Sequence, residues 1–199
     1  MRRLASITAL CALAVIAASC ASPTARFYTL SATAPAAGAR APTPSSLSLV
    51  VGPVSIPALL DQPQIVVSAG PNQVSFEEFN RWATPLADDI SRVLALDLAA
   101  TLGAPRVSQF QQALHADGDY RVTIDVQGFE SKLGDAATLN AAWTVRRTRD
   151  SRVQAGRTAV REPTSGSGFD ALAAAHSRAL AQLSQDIADA IRGLQDGAP

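Results

Sequence analysis

Cysteine is almost missing from this 199-residue chain: Cys11 and Cys20 are the only two. Cys11 lies in a segment read below as removed on export, so the mature chain has no internal disulfide and no cysteine-based metal site. Lysine is scarcer, with Lys132 alone, so nearly all positive charge is arginine. Neither sign of charge is in excess: 17 basic and 17 acidic residues give a formal net charge of +0 and a pI of about 6.7. That balance argues against general nucleic-acid binding, which needs a basic footprint. Only one long uncharged apolar run occurs, Leu4 to Ser19. At 16 residues it falls short of the roughly 20 needed to span a bilayer as a helix.

What is present begins with that run. Arg2 and Arg3 precede it and the small residues Ala17-Ala18-Ser19 close it before Cys20, the layout of a signal peptide of residues 1–19. Small residues ahead of a cysteine are what lipoprotein signal peptidase requires, although Ala17 stands where leucine is commoner. The Cys20 thiol takes a diacylglyceryl group before that cleavage, and two or three acyl chains give stable anchoring. The other reading is ordinary secretory cleavage, with Cys20 left as a free thiol. An oxidising envelope compartment permits disulfides without requiring them, so this fold stands on its hydrophobic core.

About 180 residues remain after residue 19, enough for one domain or a domain with a tether. Residues 20–46 read as a lipidated N-terminus with a short strand at Arg26–Leu30 and a flexible linker from Thr33 to Ser46. Residues 47–194 read as the domain and 195–199 as a tail. Alternation predicts strands at Leu47–Ile56, Gln64–Ser68, Val74–Phe79, Tyr120–Val126, Leu139–Val145 and Val153–Val160. A helix is predicted after Thr84 as cap and Pro85 as first helical residue, with Asp88 and Asp89 at its positive end. Its stripe is Leu86, Ile90, Val93, Leu94 and Leu98, and Gly103-Ala104-Pro105 ends it. Ser167 and Asp170 resemble a capping box before a last helix whose apolar face runs Phe169, Leu172, Ala173, His176, Leu180, Leu183, Ile187, Ile191 and Leu194. The order of elements predicts a single-domain α+β fold, a mixed or antiparallel sheet with two main amphipathic helices on one face.

No catalytic constellation emerges. His176 lies on an apolar stripe, where a packed histidine outweighs a general base. His115-Ala116-Asp117-Gly118-Asp119 reads as a turn rather than a metal site, because Asp-Gly favours turns. Ser165-Gly166-Ser167-Gly168 lacks the Gly-Lys-Ser/Thr end of a nucleotide loop and reads as a loop leading into a helix cap. The neighbours Glu77-Glu78 and Asp88-Asp89 diverge in regular structure and make poor acid–base partners. Arg146, Arg147, Arg149, Arg152, Arg157 and Arg161 face only Asp150 within their span. They form either a positive surface for phospholipid head groups or an acidic partner, with Arg147 and Arg149 as its candidates, or a solvated hairpin. Trp143 reads as core, and Trp82 as a hydrophobic staple ahead of the helix.

Several stretches, in order, carry a resemblance. Phe27-Tyr28-Thr29-Leu30, Val51 to Pro57, Leu60-Asp61-Gln62-Pro63-Gln64-Ile65-Val66, Arg81-Trp82-Ala83-Thr84-Pro85-Leu86, Arg92-Val93-Leu94 and Leu139 to Trp143 are similar to the ABC-type transport auxiliary lipoproteins, the PqiC-like family. At the position of Gln62 the family often has arginine. The resemblance covers about Phe27 to Ile191 and implies a role rather than a reaction. Such proteins accompany MCE-domain proteins and membrane permease components that move lipid across the envelope. It implies a non-enzymatic subunit with no cofactor beyond the lipid on Cys20. That subunit would dock the assembly at the periplasmic face of the outer membrane and support lipid transport and membrane integrity. Ala21 is compatible, since aspartate there is an inner-membrane retention signal in some bacteria. Asp61, Gln64, Arg81 and Trp82 become partner-binding candidates on this ground, and a homo-oligomer would suit a symmetric partner. The rivals are an independent lipid carrier, which needs an apolar pocket spared from core packing, and an envelope hydrolase, which lacks a nucleophile–base pair.

Overall fold

The computed structural model describes residues 23–33, 46–104, 106–109 and 118–196. Cys20, most of the expected linker and His115 lie outside the described residues. Within them are eight strands: β1 (Arg26–Tyr28), β2 (Ser48–Ser55), β3 (Gln64–Gly70), β4 (Gln73–Trp82), β5 (Arg106–Gln109), β6 (Tyr120–Lys132), β7 (Ala136–Arg147) and β8 (Val153–Pro163). Two long helices join them, α1 (Leu86–Leu102) and α2 (Phe169–Asp196), with a single 3-10 turn at Ala58–Leu60.

The strands divide between two sheets. Five form a mixed sheet in the order β5-β2-β6-β7-β8, and three form a smaller one in the order β1-β4-β3. Strand β2 runs parallel to both β5 and β6, while β6, β7 and β8 are joined as antiparallel hairpins. The expected α+β class with both helices on one sheet face is observed, and β5 is an added edge strand. Helix α1 covers β2 and β5, α2 covers β7 and β8, and the helices pack on each other.

Periodicity explains the core. Tyr120, Val122, Ile124 and Val126 on β6 and Leu139, Ala141, Trp143 and Val145 on β7 are all buried, as period-two alternation demands. Every expected apolar position of α1 is buried, as are those of α2 from Leu172 to Leu194. Each large apolar side chain so buried contributes roughly 1.5–3 kcal/mol. Trp143 lies over Gly156, its partner across the β7–β8 ladder, and a Cβ there would stand 2.3 Å from the ring. Its Nε1 donates to Thr158 Oγ1 at 3.1 Å, and Thr158 in turn donates to Asp186 of α2 at 2.6 Å.

Two helix starts differ from expectation. Pro85, not Thr84, precedes α1, and no side-chain cap bond forms; Pro85 holds an extended ψ of 130° and Thr84 is left exposed outside the helix. Helix α2 begins at Phe169, so Gly168 stands before it and Ser167 is one residue too early for the capping box. Gly103 ends α1 in the left-handed conformation, φ 61°, as a C-terminal glycine should.

Candidate docking surface

Three of the segments that carry the family resemblance, Phe27 to Leu30, Leu60 to Val66 and Arg81 to Leu86, converge on the small sheet, while Val51 to Pro57 and Leu139 to Trp143 fall in the large one. Tyr28 lies opposite Trp82 in the parallel β1–β4 ladder, and Gln64 lies opposite Arg81 where β3 meets β4. Between the strands run two cross-links: Trp82 N–H donates to Pro63 O at 2.8 Å, and Ala83 N–H donates to Tyr28 O at 2.8 Å. The turn after the 3-10 segment is held by Gln62, whose side-chain amide reaches Leu59 O at 2.5 Å. These three short motifs are thus one spatial unit.

Trp82 is the hub of that unit rather than part of its exterior. It is buried and meets Phe129 and His176 edge-on, with centroids 6.3 Å away in both cases. His176 stacks on Phe129 at 3.8 Å and its Nε2 stands 2.8 Å from Ser131 Oγ. Full burial pushes the imidazole down to about 3, so the ring is neutral and sealed from solvent. Asp61 is exposed, and Gln64 and Arg81 are half-buried. Arg81 is steadied by a bond to Glu78 O at 2.8 Å and a loose ion pair with the Glu78 carboxylate at 3.7 Å, a surface pair that contributes little.

Below this sheet the chain is pinned to both helices. Asp89 is buried and accepts from Leu30 N–H at 2.8 Å and Thr29 Oγ1 at 3.1 Å. Arg92 closes the same clamp, donating to Asp89 at 2.6 Å and to Leu30 O at 2.6 Å. Ser177 Oγ of α2 accepts from Ser31 N–H at 3.0 Å, and Asp97 from Thr33 N–H at 2.9 Å. Burial raises the Asp97 carboxyl to about 6 against the opposing pull of the Thr33 bond. Sequence reading took Asp89 as a dipole charge and passed over Asp97 and Ser177. Their helical spacing from Leu86, Val93 and Ala173 was the signal that they face inward.

The arginine candidates lie elsewhere. Arg149 is exposed, but Arg147 is buried. Its guanidinium binds Asp150 through two bonds, at 3.0 and 2.5 Å, and donates to Leu194 O at the end of α2. It holds the Asp150 carboxyl below the usual range and is withdrawn from any head-group surface. Arg147 and Arg149 border a cleft of about 380 Å³ with Asp119, Tyr120 and Gln195. An apolar groove of about 210 Å³ lies at the other end of β6, between Leu59, Leu60, Val66, Val74 and Phe129. Tyr120 and Phe129 are nine residues apart on one strand, roughly 30 Å at about 3.3 Å per residue, so the two candidate regions are separate.

A family model described as an ABC-type transport auxiliary lipoprotein component matches residues 28–188. The chain belongs to that family. These auxiliary lipoproteins are components of transport systems, so the partners of the chain are transporter components. Protein XCC0632 from Xanthomonas campestris, of the DUF330 family, is 26% identical with a TM-score of 0.69, over 86% of this chain and 98% of that one. An uncharacterized protein that is 21% identical shares the fold, with a TM-score of 0.68 over 85% of this chain and 99% of the other. Curated proteins give no match. No described helix of this auxiliary lipoprotein is long and apolar enough to cross a membrane.

Proposed function

We propose that the protein is a non-enzymatic, lipid-anchored subunit of an MCE-type lipid transport system. Cleavage before Cys20 and lipidation there attach it to the periplasmic face of the outer membrane, where it docks the distal end of the assembly. The observation that carries this reading is the family match itself, with three of the family segments brought together at the small sheet. The face offers Asp61, Gln64 and Arg81 around a buried Trp82. Arg149, at the far end of β6, is a second point of contact.

The groove beside this sheet favours docking over lipid carriage. At about 210 Å³ it lies below the roughly 300–1,000 Å³ of sites that enclose a ligand, and the cleft of about 380 Å³ at the other end of β6 has charged Asp119, Arg147 and Arg149 in its lining. The test is purification of the lipidated protein from detergent-solubilised envelopes, with Cys20→Ala as control and mass spectrometry of what accompanies it. An MCE-domain protein is expected in stoichiometric yield. Asp61→Lys combined with Arg81→Glu should lower that yield about tenfold, the effect of ~1.4 kcal/mol, at unchanged melting temperature. Unchanged yield would remove the small sheet as the docking surface. Copurifying lipid without any such partner would make the protein a carrier.

A further inference from the structure

The small sheet carries three exposed phenylalanines, Phe27, Phe76 and Phe79, and the two that lie near the start of the chain's first strand are Phe27 and Phe79. Phe27 is 65% exposed and Phe79 is 45% exposed. Phe27 lies opposite Arg81 in the β1–β4 register, and Phe79 is two residues before Arg81, so all three share one face. On the opposite face Tyr28 packs on Phe169 with centroids 5.7 Å apart, and Trp82 is buried. Exposed Arg26 stands on the same edge strand, one residue before Phe27 and so on the other face.

Sequence distance says what this face meets. Only Ala21 and Ser22 separate Cys20 from Pro23, a reach of about 10 Å at full extension, and β1 starts within about 20 Å of Cys20. The slack cannot be made up further along, because Thr29 to Thr33 are fixed to Asp89, Asp97 and Ser177. A lipid on Cys20 would therefore keep β1 within about 20 Å of the bilayer. We infer that Phe27 and Phe79, on the outer face of the β1–β4 pair, lie in the lipid interface, the phenyl rings among the upper acyl segments. Exposed aromatic rings on a surface held near a bilayer suit that boundary, where the apolar side of a peripheral element is buried below the head groups. The inference rests on lipidation at Cys20.

The test uses the full lipidated protein in vesicles of phosphatidylethanolamine and phosphatidylglycerol. Phe27→Trp and Phe79→Trp are made singly, with Val153→Trp, exposed at the far end of the large sheet, as control. Native Trp82 and Trp143 are both buried and supply a constant background. With brominated acyl chains, the added emission at positions 27 and 79 should fall at least twofold and that at 153 should not change. Intact mass reports the lipid independently. A protein that bears the lipid but shows no quenching at 27 and 79 overturns the membrane face alone, including the case where crosslinking finds a second copy covering it. A protein without lipid at Cys20 overturns the anchor and the membrane face together.

Discussion

Two aspartates on α1 occupy positions that the helical period assigns to the core, and both are used to bind backbone. Asp89 is satisfied by four donor atoms. Asp89→Ala leaves the buried Leu30 N–H without its acceptor and should destabilise the fold by about 2–4 kcal/mol, the sum of one orphaned amide and lost charged bonds. Urea unfolding measures it, and faster exchange of the Leu30 amide locates it. Asp97 is the opposite case, a carboxyl raised to about 6. Between the unfolded value near 3.8 and 6, the folded state keeps a proton the unfolded chain has released, so stability falls as pH rises. His176, held at about 3 against 6.5, does the reverse: its unfolded form is protonated first, and stability falls as pH drops below 6.5. The slopes oppose each other from about pH 4 to 6. Native protein should be nearly flat there, whereas Asp97→Asn should gain stability with pH by up to about 1.4 kcal/mol per unit. Urea midpoints at pH 4, 5 and 6 decide; a flat profile in the variant would mean His176 is not the counterweight. Gly156→Ala should cost about 1–3 kcal/mol by driving a methyl into Trp143, while Gly168→Ala, with nothing within 4 Å, should not.

Among the elements, those with a clean period were legible and their ends were not. Strands β2, β3, β4, β6, β7 and β8 and both helices follow from alternation or helical spacing. Strand β5 has only four residues, too few for a period to register. The start of α1 was misread because Thr84 is a good cap by chemistry, yet the chain enters the helix through Pro85. Of the candidate residues, Gln64 and Arg81 are paired where β3 meets β4, and Asp61 lies in the turn just before β3. Trp82 came with them in sequence but serves the interior, and nothing in its neighbours distinguishes the two uses. Arg147 could have been found, since alternation from Leu139 through Val145 points position 147 inward. A buried arginine that caps the C-terminal end of α2 is structural: Arg147→Met should lower the melting temperature, and Arg149→Glu should leave it unchanged.

Over the whole molecule, the small sheet and the arginine end are joined by the length of β6 and share no side chain. Partner-binding losses from Arg81→Glu and Arg149→Glu should therefore add to within about 0.5 kcal/mol. Measured coupling above ~1 kcal/mol would mean that one partner surface bends across both ends.

The bonds from residues 29–33 to the helices also set how the body would bear tension. A pull on the chain ahead of Pro23 enters along β1, where the three-residue ladder with β4 resists it in shear. What passes that ladder reaches Asp89 and Arg92, then Ser177 and Asp97, and so is divided between two long helices in the core. The tether gives way at its weak first link, and the sheet-and-helix body behind it stays folded.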